Sequence, residues 1–166
     1  PISVTAQDVY GNTRTQFTGT VDVSDLTGTI SPTVSGSFIQ GQWTGNVVIS
    51  QAQQDNQISV VRTGGSENGS SVQFDVISST VDYFEISTIN SPQTAGVPFN
   101  VIITAKDNQN NTVTDFSGTG VLTDETGSLT PTETGSFSGG VWSVSLSITE
   151  SGRGNEITIP ISGKAG

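Results

Sequence analysis

The chain has 166 residues and a formal net charge of −10, carries only five Lys plus Arg, and contains no Cys, His or Met. With no basic stripe to neutralise phosphates, nucleic-acid binding is excluded and anionic lipid would repel the chain. The missing Cys and His exclude disulfides, Ser–His or Cys–His nucleophile activation and His-bound zinc.

The 32 Val and Ile outnumber the nine Leu and Ala, and 24 Thr, 23 Ser and 20 Gly accompany them. Branching at Cβ suits a pleated surface, so the composition predicts an all-β chain rich in polar turns. No apolar run reaches membrane-spanning length, and no direct membrane insertion is expected.

The segment VTAQDVYGNTRTQFTGT from Val4 returns 99 residues later as ITAKDNQNNTVTDFSGT from Ile103. The register holds without a gap through Thr27-Gly28 and Thr126-Gly127, Pro32 and Pro131, Gly36-Ser37-Phe38 and Gly135-Ser136-Phe137, Trp43 and Trp142, and Asn56 and Asn155. A repeat of this length means two copies of one structural unit.

Period-2 alternation places the strands. In the first copy the expected inward residues are Ile2, Val4 and Ala6; Val21 and Val23; Trp43, Val47 and Ile49; Ile58 and Val60; and Val72, Phe74 and Val76. In the second they are Phe84 and Ile86; Phe99, Val101, Ile103 and Ala105; Leu122; Trp142, Val144, Leu146 and Ile148; and Ile157, Ile159 and Ile161. Each Trp shares parity with the inward residues of its strand, so both are expected as core pins. No stretch keeps a 3.6-residue period, and no helix beyond a turn is expected.

Short strands separated by Gly, Asn, Asp, Ser and Pro clusters suit two tandem immunoglobulin-like β-sandwiches standing end to end. The expected domains are residues 1–79, with the first strand missing, and 80–166, with the last strand missing. Between Val76 and Phe84 the apolar alternation lapses in a stretch free of Gly and Pro, which predicts a nearly extended linker at about residues 78–82.

The string AKDNQNNTVTDFSGTG and its partner AQDVYGNTRTQFTGTV resemble the A-x-D-x-x-G-N-x-V-x-x-F-x-G-T pattern of bacterial and archaeal extracellular immunoglobulin-like repeats. Those are the modules of invasin-like adhesins, surface-layer proteins and appendages of secreted enzymes. The likeness covers nearly the whole chain and departs from the pattern at Asn110, where the first copy has Gly11. It implies a structural or adhesive role at the cell surface, with neighbouring immunoglobulin-like domains or other subunits as partners, and it carries over no catalytic residue.

Asp8 and Asn12, with Asp107 and Asn111, are the residues a calcium site would use. Asp and Asn also cap tight turns by bonding their own backbone, and calcium asks for six to eight oxygens. No other cofactor and no catalytic residue is expected. The sequons at Asn68 and Asn110 are expected in loops, where a glycan fits. Tyr10 and Tyr83 are the aromatics that a carbohydrate-binding module would expose to cell-surface glycans.

The two copies are out of phase with the chain ends. A strand near Tyr83–Ile89 precedes the second copy and has no equivalent before Pro1, while Val72–Ile77 closes the first copy without a counterpart in the second. A piece of a longer array accounts for this. So does a filament subunit whose open grooves are filled by strand complementation.

Overall fold

The computed structural model describes residues 1–160, and among them every regular element is a strand. The chain divides into two compact units, Pro1–Ile77 and Ser78–Gly166. The break falls two residues ahead of the expected boundary because the Ser79 N–H already donates to Asp107 Oδ2 of the second unit, at 2.9 Å.

The first unit holds β1 (Ile2–Thr5), β2 (Val21–Asp25), β3 (Gln42–Gly45), β4 (Gln53–Asn56), β5 (Ile58–Arg62), β6 (Asn68–Ser70) and β7 (Phe74–Val76). All pairings are antiparallel: β1 with β3, β2 with β5 and β5 with β6, and β4 with β7 across a bulge. The second unit holds β8 (Tyr83–Ile86), β9 (Phe99–Lys106), β10 (Thr123–Asp124), β11 (Leu129–Thr130), β12 (Val141–Ile148) and β13 (Ile157–Thr158). Here β11, β12, β9 and β8 form one antiparallel sheet, and β10 pairs with β13.

The 99-residue offset survives in the pairing. Val4 faces Trp43 across β1 and β3, and Ile103 faces Trp142 across β9 and β12. Asp25 faces Ile58, and Asp124 faces Ile157. One difference matters below: β9 lies between β12 and β8, whereas β1, among the described residues, has β3 alone.

In each unit one core receives side chains from more than one sheet, an arrangement consistent with a β-sandwich. Val21, Val23, Ile30, Phe38 and Ile58 are buried in the first core. Val101, Ile103, Ala105, Val113, Leu122, Leu129, Phe137 and Leu146 are buried in the second. Much of the expected inward set is here, but Ile30, Phe38, Val113 and Phe137 come from connecting segments in which no alternation is visible.

Two expectations need correction. Val72 is 84 % exposed, because the chain has left β6 and does not re-enter a ladder until Phe74. Trp43 and Trp142 are half-buried and flank their cores. Their indole Nε1 atoms lie over Gly36 and Gly135, where an added Cβ would sit 3.1 and 2.9 Å away, so the Trp accounts for the glycine of each Gly-Ser-Phe triplet. Ile161 lies outside the described residues.

Gly41 and Gly140 recur for a second reason. Both have positive φ, 76° and 74°, and their amide neighbourhood is tight: a Cβ on Gly41 would stand 2.5 Å from the Arg14 carbonyl oxygen, and one on Gly140 would overlap that of Val113. Their carbonyls accept the N–H of Ala6 and of Ala105, each at 2.8 Å. Only glycine allows both the left-handed backbone and the close approach.

Candidate functional site

The Asp8 and Asp107 turns are built alike. Asp8 Oδ1 accepts the N–H groups of Tyr10 and Asn12, both at 2.9 Å, and Oδ2 accepts Asn12 Nδ2 at 3.1 Å. Asp107 Oδ1 accepts the N–H groups of Gln109 (2.9 Å) and Asn111 (2.8 Å), and Oδ2 accepts Asn111 Nδ2 at 3.0 Å. Each turn therefore engages both oxygens of its carboxylate with hydrogen-bond donors. Gly11 and Asn110 occupy the left-handed position that closes each turn, with φ of 83° and 67°, so Asn replaces Gly there at little cost.

The environments of the two carboxylates differ. Asp107 is 1 % exposed, and its Oδ2 also receives the Ser79 N–H. Burial pushes its carboxyl up, but the bonds from Asn111, Ser79 and Gln109 outweigh burial and hold it below the ordinary aspartate range. Asp8 is half-buried. The backbone and side chain of Asn12 lower its carboxyl, with smaller help from Tyr10 and Arg14.

A second pair of acids, Asp25 and Asp124, recurs at the same offset outside the turn motif. Each ends a strand and organises the loop after it. Asp25 Oδ1 accepts the N–H groups of Thr29 and Ile30, both at 3.0 Å. Its Oδ2 takes the Thr27 N–H at 3.2 Å, the Thr27 hydroxyl, and Asn56 Nδ2 at 3.0 Å. Asn56, 0 % exposed, returns its Oδ1 to the N–H groups of Leu26 and Gln57.

The second unit repeats the arrangement. Asp124 accepts from the N–H groups of Leu129 (3.2 Å) and Thr126 (3.3 Å), the Thr126 hydroxyl, and Asn155 Nδ2 at 2.9 Å. A hydroxyl completes each network: Thr29 Oγ1 accepts from Ser50 and Gln51, and Ser128 Oγ from Thr149 and Glu150. Burial opposes ionisation at both acids, yet the bonds prevail. They lower Asp25 and bring Asp124 to about 2. The signal that could have found this site is the joint recurrence of Asp-x-Thr-Gly-[Thr/Ser] and a lone Asn 31 residues on.

The remaining candidates stand apart. Asn68 lies in β6 and not in a loop; it is exposed, and its Nδ2 donates to the Ser66 carbonyl. Asn110 is exposed at its turn, and its Oδ1 accepts the Tyr83 hydroxyl at 2.7 Å. Tyr10 is 86 % exposed with no aromatic stacked on it among the described residues. Among the described residues no three Asp or Glu converge as a metal site would require.

Each unit carries a hollow among the described residues. In the first unit, Ile2, Val47, Ile49, Ile58, Phe74 and Val76 line an apolar groove of about 450 Å³. In the second, a cleft of about 310 Å³ runs beside Ile89, Phe99, Ile148 and Ile157 under the 90–95 loop. Neither gathers the paired carboxylates or activated nucleophile that catalysis asks for. Comparison with family models, curated proteins and solved structures finds no match to the chain.

Proposed function

We propose that the chain is a non-catalytic structural module of an extracellular surface protein, two immunoglobulin-like β-sandwiches in tandem serving as a spacer or adhesin stalk. One observation carries the reading: three polar positions kept between the copies are spent on the backbone. Asp8, Asp107, Asp25, Asp124, Asn56 and Asn155 all hold main-chain N–H groups. The buried hydroxyls of Ser35 and Thr134 likewise accept the N–H groups of Val21 and Gly120. These kept positions serve the scaffold. The net charge of −10 keeps such a surface soluble and discourages self-association.

Single-molecule stretching tests the spacer reading. Two separate unfolding events are expected, each releasing roughly 200–300 Å of chain at ~3.5 Å per residue. Antibody labelling of intact source cells should reach the protein. A single event for the whole chain, or labelling only after lysis, refutes the proposal. Specific glycan-array binding abolished by Tyr10→Ala or Tyr83→Ala would replace it with a carbohydrate-binding role.

A further inference from the structure

The second unit contains a strand seated where the first unit shows a bare edge. β8 pairs with β9, placing Tyr83 opposite Lys106, Phe84 opposite Ala105, Glu85 opposite Thr104 and Ile86 opposite Ile103. The inner face of β9 is then sealed: Val101, Ile103 and Ala105 are 0–1 % exposed. Their counterparts are Ile2 and Val4 on β1 and Ala6 just past its end, yet all three are only half-buried.

The aromatic packing shows the same difference. Phe84 lies 5.5 Å from both Phe116 and Phe137, whose rings are 5.0 Å apart and close to perpendicular. Phe17 and Phe38 reproduce that edge-on pair, also at 5.0 Å. No third ring joins them among the described residues, and the Arg62 guanidinium stands 5.9 Å from the Phe17 centroid.

Two further features match the preceding segment. Asp107 Oδ2 receives the Ser79 N–H, a donor that Asp8 Oδ2 has no equivalent of among the described residues. In the second unit Ile89 and Phe99 lie beside Ile148 and Ile157. In the first unit Ile49 and Ile58, the counterparts of that isoleucine pair, line the 450 Å³ groove.

We propose that the β1 edge and groove of the first unit form an acceptor site for a strand of the Ser78–Phe99 pattern, supplied by the polypeptide joined ahead of β1 in a tandem array. This rests on the array reading above. The occupant runs antiparallel to β1 and carries Phe opposite Ala6 and an aliphatic residue opposite Val4. A backbone N–H bonds Asp8, and two apolar side chains fill the groove. Two side-chain contacts of β8 do not transfer. The Lys106–Glu85 ion pair (3.5 Å) and the Tyr83–Asn110 bond have Gln7 and Gly11 at the matching places. The occupant is therefore recognised by its Phe and its backbone and not by Tyr or Glu.

The test fuses a copy of Ser78–Phe99 directly ahead of Pro1, which restores the register because Asn100 is the counterpart of Pro1. The expected result is a rise of about 10 °C or more in the melting of the first unit, with at least tenfold greater hydrogen-exchange protection of Ile2–Thr5. Phe84→Ala in the fused copy should remove most of the rise. Asp8→Ala should cost more in the fusion than in the parent chain. A fusion whose melting and β1 protection match the parent's overturns the proposal. So does a silent fusion accompanied by tight binding of the free Ser78–Phe99 peptide, which would assign the strand to a separate molecule. A silent fusion leaves the stretching and labelling results untouched, so the acceptor site and the spacer reading fail separately.

Discussion

Replacing Asp25 with alanine removes the acceptor of three backbone N–H groups, one hydroxyl and one side-chain amide. Water can reach the half-buried Thr27 and Thr29 donors, which limits the cost there to a fraction of each charged hydrogen bond, but not the N–H of Ile30, which is buried. It cannot serve Asn56, which is 0 % exposed and would keep an unpaired Nδ2. Loss of a buried partner costs about 1–3 kcal/mol and weakened loop bonds add a comparable amount, for a total of roughly 3 kcal/mol. A unit of this size is worth about 4–12 kcal/mol in all, so melting should fall by roughly 12–24 °C. Hydrogen exchange resolved by mass spectrometry reads the units separately: β2 and β5 should lose protection, while β9 and β12 serve as an internal control. A drop below about 3 °C would mean that solvent replaces the carboxylate, and the assignment of Asp25 as organiser of its loop would be wrong.

Asp124, at about 2, and the lowered Asp25 and Asp107 make stability depend on acid. A depressed folded-state value contributes stability that is complete above the unfolded value of ~3.9 and disappears as pH falls through the folded one. Melting temperature should therefore be flat from pH 7 to about 5 and decline between about 4 and 2, and Asp124→Asn should lessen the decline in the second unit. For Asp124 this linkage is on the order of 1–2 kcal/mol once solvent screening is allowed for. Gly140→Ala should destabilise the second unit by about 2–4 kcal/mol through positive φ and overlap with the Val113 carbonyl, read as a midpoint shift in urea. An unchanged midpoint would refute the close approach.

The fold was legible wherever side chains alternate against one sheet. Val21 and Val23, or Val101, Ile103 and Ala105, announce their strands because every second residue is apolar. Phe38 and Phe137 did not, since they reach the core from connecting segments whose path is set by turns and by Gly36 and Gly135 beneath the indoles. The Asp8 and Asp107 turns were visible because their bonds span four residues. The Asp25–Asn56 and Asp124–Asn155 pairs span 31, and only strand pairing brings those residues together. Val72 misled for the opposite reason: parity continued past the end of a ladder.

The Asp–Asn contact joins the end of β2 to the end of β4, closing a loop of chain much as a crosslink would. It is made of hydrogen bonds and needs no oxidant to form and no isomerase to correct. A unit pulled open under tension loses nothing covalent, and its clasp can reassemble whenever the load is released, in reducing and oxidising surroundings alike. In a chain without cysteine, a unit that opens and refolds forms no mispaired disulfides, whatever the redox surroundings.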